Sequence, residues 1–184
     1  YQAKDGQEYV LNLIDTPGHN DFSYEVSRAL TAVEGAILLV DATQGIQAQT
    51  LANFENAKKA NLKIIGAINK VDLNPPQTEA VLEDLATLLN IKMEDILKIS
   101  GKTGLGVDSL LNQIIEQIPS PKKQGEASRA LVFDSLYDDH KGVIAFVRLF
   151  GGQFKRGDSV KFLANNNMAQ IKEVGYFHPQ LRNC

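Results

Sequence analysis

At 184 residues, 43% hydrophobic and 22% charged, the chain has the composition of an ordinary globular protein, with room for one large domain or for one domain and part of another. Its net charge of −3, from 19 basic and 22 acidic residues with no arginine–lysine block, argues against a sequence-independent nucleic-acid sheath, and no DNA partner is expected. No apolar run approaches membrane-spanning length and no signal peptide opens the chain; the one cysteine, Cys184, excludes an internal disulfide and fits a reducing, cytoplasmic setting.

The chain opens at Tyr1 rather than Met and goes almost at once into an apolar run, so it reads as an interior segment of something longer. YVLNLID, residues 9 to 15, is apolar and β-prone and predicts a strand ending at Asp15. Phe22, Val26, Ala29, Leu30 and Val33 recur at helical spacing. GAILLVD, residues 35 to 41, is a continuous apolar run, as in a strand buried on both faces. A helix is expected over residues 47 to 60, and LKIIGAIN, residues 62 to 69, is a second buried strand. Thr78, after Pro75 and Pro76, is the expected N-cap of a helix running to Leu89. ILKIS, residues 96 to 100, predicts a short strand, and residues 107 to 118 a last amphipathic helix. Strands alternating with helices imply a parallel sheet with helices on both faces.

The stretch from Ile118 to Ser128 is rich in proline, lysine and glycine and reads as a linker. Beyond it the helical period disappears. RALVFDSLY, GVIAFVRLF, DSVKFL and AQIKEV predict strands, parted by turn residues such as Gly151-Gly152 and Asn165 to Asn167. The expected organisation is an α/β domain over residues 1–119, a linker over 120–128 and an incomplete all-β barrel over 129–184.

Parallel sheets bind ligands beyond the carboxyl ends of their strands. Three predicted strands carry polar residues there: Asp15 with Thr16, Pro17, Gly18 and His19; Asn69-Lys70-Val71-Asp72; and Ser100-Gly101-Lys102. Each alone is ordinary turn chemistry. Together they describe a guanine-nucleotide site. A carboxylate accepts from both the ring N–H and the exocyclic amine of guanine, a match adenine does not offer, and Asp72 is placed for it. Asn69 would tie neighbouring loops together, the Lys70 stem would cover a base face, and amides of the Ser100–Lys102 loop would meet the guanine carbonyl. At the other end Asp15 would hold Mg²⁺ through water, as the strand-end aspartate of P-loop NTPases does, and Gly18 would let the backbone approach the terminal phosphate. His19 would act at the phosphates, either orienting water or stabilising developing charge. His140 and His178 have no ligand-spaced partners.

DTPGH followed by NKVD resembles the translational GTPases. The longer stretches DTPGHNDFSYEVSRALTAVEGAILLVDATQGIQAQTLAN and FDSLYDDHKGVIAFVRLFGGQFKRGD are most similar to the elongation factor 4 (LepA) family, over nearly the whole chain. The resemblance implies a GTPase that binds GTP and GDP with Mg²⁺ and acts on ribosomal translocation or back-translocation. It implies a second-domain barrel that contacts ribosomal RNA and proteins, and loose association with the cytoplasmic face of the inner membrane. The alternatives are elongation factor G or another translational GTPase, disfavoured by FDSLYDDHKG, and a non-hydrolysing ribosome-binding scaffold. Two positions depart from the family pattern: Asn20 replaces the usual valine, and Ser-Gly-Lys replaces the commoner Ser-Ala-Lys. The larger departure is that G-x-x-x-x-G-K-[ST] is missing, since Gly101-Lys102-Thr103 would require glycine at Ile96. The phosphate loop and first switch are therefore expected before Tyr1, and the chain alone is expected to be inactive.

Overall fold

The structure, a computed structural model, describes residues 1–16, 23–122, 124–178 and 180–183. The chain divides into two units, one of residues 1–121 with 133–145 and the other of residues 122–132 with 146–184.

The first unit is built on three parallel strands in the order β1 (Gly35–Asp41), β2 (Lys63–Asn69) and β3 (Leu97–Lys98). β1 and β2 run in register from Gly35 opposite Lys63 to Asp41 opposite Asn69, so both strands end side by side on polar residues. The α-helices among the described residues are α1 (Ser23–Thr31), α2 (Ala48–Lys59), α3 (Thr78–Leu89) and α4 (Val107–Gln117). Strand alternation decides which helix each residue meets. Leu38, Val40 and Ile68 point to one face and pack with Phe54 of α2 and with Val81, Leu82, Leu85 and Ala86 of α3. On the same face Ile64 and Ala36 meet Val26 and Leu30 of α1. Ile65 and Ala67 point the other way, onto Leu110 and Ile114 of α4. Fully burying such a side chain stabilises by about 1.5–3 kcal/mol, so these clusters hold the strand ends rigidly in place. β2 packs closely on α3 at Gly66, where an added Cβ would make the end of the Leu89 side chain shift.

Three expectations are corrected. Residues 9–15 form no strand. The Tyr1 and Tyr9 backbones pair reciprocally, and Gln2 bridges Glu8, but residues 10–15 join no ladder. Val10 and Leu13 are exposed in consequence. Apolar composition makes a segment strand-prone, but a strand exists only through a paired neighbour, and among the described residues β1 pairs on one side alone. The expected strand at residues 96–100 contracts to two residues, because Ser100 donates its amide to the Leu105 carbonyl and turns the chain away. Thr78 is the first residue of α3 rather than its cap; Gln77 takes the cap position, and the Thr78 hydroxyl donates to the Pro75 carbonyl.

Among the described residues the β-rich part pairs β4 (Arg129–Asp138) with β5 (Gly142–Gly151), β6 (Ser159–Lys161) with β7 (Met168–Gln170), and β8 (Gly175–His178) with β9 (Gln180–Asn183). The β4–β5 turn is closed by Asp138, whose Oδ1 accepts from the amides of His140 and Lys141. These bonds hold the Asp138 carboxyl below its usual range. The expected linker residues 118–128 carry no helix or strand among those described.

Candidate functional site

Two of the three polar clusters singled out by the sequence, residues 69–72 and 100–102, meet at the ends of β2 and β3. Asn69 closes β2, and its side-chain Oδ1 accepts two amides: Lys70 N–H at 2.8 Å and Gly101 N–H at 3.0 Å. One side chain thus fastens the loop after β2 to the loop after β3. The second loop is closed by its own bonds. Fully buried Ser100 donates its amide to Leu105 O at 2.9 Å and accepts Thr103 N–H on Oγ at 3.1 Å, and Gly104 N–H returns to Ser100 O. Gly106 completes the turn into α4 with φ of +72°, where a Cβ would overlap the Lys98 carbonyl oxygen.

This bonding leaves one amide available. Of the four consecutive N–H groups from Ser100 to Thr103, that of Lys102 alone has no acceptor among the described residues. A carbonyl oxygen arriving at this loop would therefore meet Lys102 N–H, while the Gly101 amide is spent on Asn69. At Gly101 a Cβ would sit 3.8 Å from Asn69 Oδ1 and 3.9 Å from Nδ2, which is ordinary contact. The glycine here answers no steric demand.

Lys70 adopts a left-handed backbone, φ 66° and ψ 27°, and Asn74 does so again four residues later. Between them Val71–Leu73 make one 3₁₀ turn that carries Asp72, half-buried and with no hydrogen bond or ion pair among the described residues. Its carboxylate is free to accept two donors. A left-handed lysine costs on the order of 1–2 kcal/mol, so the conformation must be held from outside. It is held twice: at the amide by Asn69, and at the ammonium by Asp41, 2.6 Å from Lys70 Nζ.

Asp41 was given no role on sequence grounds. It ends β1 and is the register partner of Asn69, so it lies beside the start of the loop that carries Lys70. Its Oδ1 accepts from both the amide (2.8 Å) and the hydroxyl (2.6 Å) of Thr43. Partial burial pushes its carboxyl up, but the bond from Lys70 and the two from Thr43 outweigh that and leave it below the usual carboxylate range. The signal that would have found it is the parallel register, which sets the last residue of each strand beside its neighbour's.

The other predicted cluster is only partly visible. Asp15 is exposed and Thr16 half-buried, and Asp15 makes no hydrogen bond or ion pair among the described residues. Pro17, Gly18, His19 and Asn20 lie outside the described residues. Gly101-Lys102-Thr103 sits in a turn ahead of α4, which starts only at Val107, so it does not cap a helix as a phosphate loop does. Among the described residues no group of three or more His, Cys, Asp or Glu is gathered for a metal, and no helix is long and apolar enough to cross a membrane.

A parallel sheet with helices on both faces and its polar loops gathered at the strand C-termini is the architecture of nucleotide-binding α/β domains, and solved structures similar to it include translation elongation factors. One is translation elongation factor SelB from Methanococcus maripaludis in complex with the GTP analogue GppNHp, 27% identical, covering 92% of this chain and 39% of SelB with a TM-score of 0.64. The chain belongs to the family of the elongation factor Tu GTP binding domain, whose model matches residues 2–120. Across 95% of its length it is 49% identical to elongation factor 4 of Chlorobaculum tepidum, and across 98% it is 47% identical to elongation factor 4 of Syntrophomonas wolfei. It spans 29% and 30% of those two proteins' lengths.

Proposed function

We propose that this chain is the base-reading part of the GTP-binding domain of a ribosome-associated GTPase of the elongation factor 4 type. In this reading residues 1–119 belong to that domain, 120–128 to a linker and 129–184 to a β domain that meets ribosomal RNA and protein. The observation that carries the reading is the double acceptance by Asn69, which brings Asp72 and the Lys102 amide to the same end of the sheet. Asp72 accepts the ring N–H and amine of guanine, Lys102 N–H donates to its carbonyl oxygen, and the Lys70 stem lies against the ring. The identity to two elongation factor 4 sequences favours this family over elongation factor G.

Asp15 fits a magnesium–nucleotide complex in one respect: such an ion needs only one or two carboxylates, the rest of its shell being water and phosphate. Bound there, Mg²⁺ would neutralise charge on the phosphates. Asp15 would hold that complex through water, with Thr16, Pro17 and Gly18 beside the terminal phosphate. His19 would orient the attacking water or stabilise charge as the phosphoryl group transfers. The chain contains no G-x-x-x-x-G-K-[ST] sequence, so on its own it would bind GTP poorly. We place the protein in the cytoplasm; contact with the inner membrane is carried by the family resemblance alone.

The test is His19→Ala in the full-length protein. GTP affinity should stay within a few-fold, while ribosome-stimulated turnover falls by about a hundredfold or more, as for other positioned acid–base groups. Unchanged stimulated turnover would remove His19 from the chemistry.

A further inference from the structure

Lys70 and Asp41 leave neighbouring strands at the same level, because Asp41 is the register partner of Asn69 and Lys70 is the next residue. Neighbouring strands lie about 4.8 Å apart. A lysine that starts beyond the end of β2 and places its ammonium on the carboxylate ending β1 must therefore lay its methylenes across the carboxyl edge of the sheet. That edge is where parallel sheets receive ligands. The Asp41 end of the bridge is itself fixed. Oδ1 is occupied by the Thr43 amide and hydroxyl, leaving Oδ2 for Lys70. Thr43 O accepts the Gln77 side-chain amide at 2.8 Å, and Ala42 N–H donates to Asn69 O at 2.9 Å, so the loop after β1 is anchored to α3 and to β2.

We propose that Asp41 is a positioning residue for the nucleotide base. Its ion pair stretches the Lys70 stem along the end of the sheet and keeps it there as a ready-made apolar strip for one face of the guanine ring. The inference rests on the guanine-binding reading above and adds to it a residue that touches neither base nor phosphate. One observation and one general argument separate this role from a merely structural one. Half of the Lys70 side chain and a fifth of that of Asp41 remain exposed, and ion pairs so open to water contribute little to folding stability. A free lysine, by contrast, loses much rotamer freedom when a ligand immobilises it, and a lysine already held loses less. Holding it in advance favours binding while hardly changing the fold.

The consequence is specific. The strip serves the base, which GDP and GTP share, so removing its anchor should weaken both nucleotides alike. In the full-length protein, Asp41→Asn keeps an oxygen for Thr43 but ends the charge pairing. It should raise the dissociation constants of GDP and GTP by the same factor, about three- to tenfold. Lys70→Met keeps most of the stem without the ammonium and should weaken binding similarly. Combined with Asp41→Asn it should add almost nothing, because both changes release the same tether. Thermal melting of each variant reports any loss of fold.

Additive effects of Asp41→Asn and Lys70→Met, a change confined to GTP, or parent-like affinity in Asp41→Asn would each overturn the proposal. Asp72→Asn, measured alongside, separates the two levels. If it weakens GDP binding and Asp41→Asn does not, the guanine site stands and the role of Asp41 falls. If Asp72→Asn also leaves GDP binding intact, the reading of the site fails and takes this inference with it.

Discussion

Asn69→Ala should loosen the junction of two loops that a single oxygen now holds. The oxygen accepts at 2.8 Å from Lys70 N–H and at 3.0 Å from Gly101 N–H, and alanine offers neither amide an acceptor. Both residues are exposed, so water can reach the freed amides, and each bond is worth its net value of about 0.5–1.5 kcal/mol. Two bonds make about 1–3 kcal/mol. For a chain of this size that lowers the melting temperature by about 2–12 °C, at about 2–4 °C per kcal/mol. Asn69→Asp keeps an oxygen at the same place and should melt within about 1 kcal/mol of the parent, since a carboxylate also accepts amide hydrogens. Thermal melts of the three proteins, with amide exchange followed at Gly101, give the answer. Gly101 should lose protection in Asn69→Ala and keep it in Asn69→Asp. Identical melting of the two variants, with Gly101 exchange unchanged in both, would refute the bridging role.

Gly101→Ala should stabilise the protein by about 0.4–1 kcal/mol, because a Cβ fits beside Asn69 and alanine loses less entropy on folding; a lowered midpoint in denaturant would contradict the available space. Asp41 has a folded-state pKa depressed below 3.8, so its stabilising contribution is present above that value and is lost as pH falls through the lower folded one. The stability difference between the parent and Asp41→Asn should therefore hold steady at neutral pH and close in acid, and denaturant titrations showing a gap that widens below pH 3.8 would reverse the assignment. Amides of residues 10–15, which join no ladder, should exchange much faster than those of Lys63–Asn69; equal protection would mean that the segment finds a partner.

The α/β half of the fold was legible because its signals are local. β1 and β2 are continuous apolar runs that end on polar residues, and α2, α3 and α4 follow a helical period, so their limits fall within a residue or two of the expected ones. Residues 9–15 carry the same apolar signal and form no strand, since pairing depends on a neighbour that composition does not reveal. The cap of α3 was misplaced by one residue because Thr78 uses its hydroxyl on Pro75 rather than on the helix amides. At the site, the residue types of Asn69, Asp72 and Ser100 pointed to one cluster, but the choice of amides did not follow from them. Asn69 consumes the Gly101 N–H, so Lys102 is left as the donor. Asp41 escaped notice because its partner, Lys70, is distant in sequence and adjacent only through the register of β1 on β2.

The central claim is that Asp72 reads guanine, and exchanging its carboxylate for an amide tests it most directly. Asparagine presents one acceptor and one donor where aspartate presents two acceptors, so it loses the match to the guanine amine and gains one to the 2-oxo group of xanthine. Two charge-assisted bonds at about 1.5–3 kcal/mol each set the scale. In the full-length protein, Asp72→Asn should weaken GDP by about a hundredfold or more and bind xanthosine diphosphate more tightly than the parent does. Unchanged GDP affinity, with no gain for the xanthine nucleotide, would contradict the account.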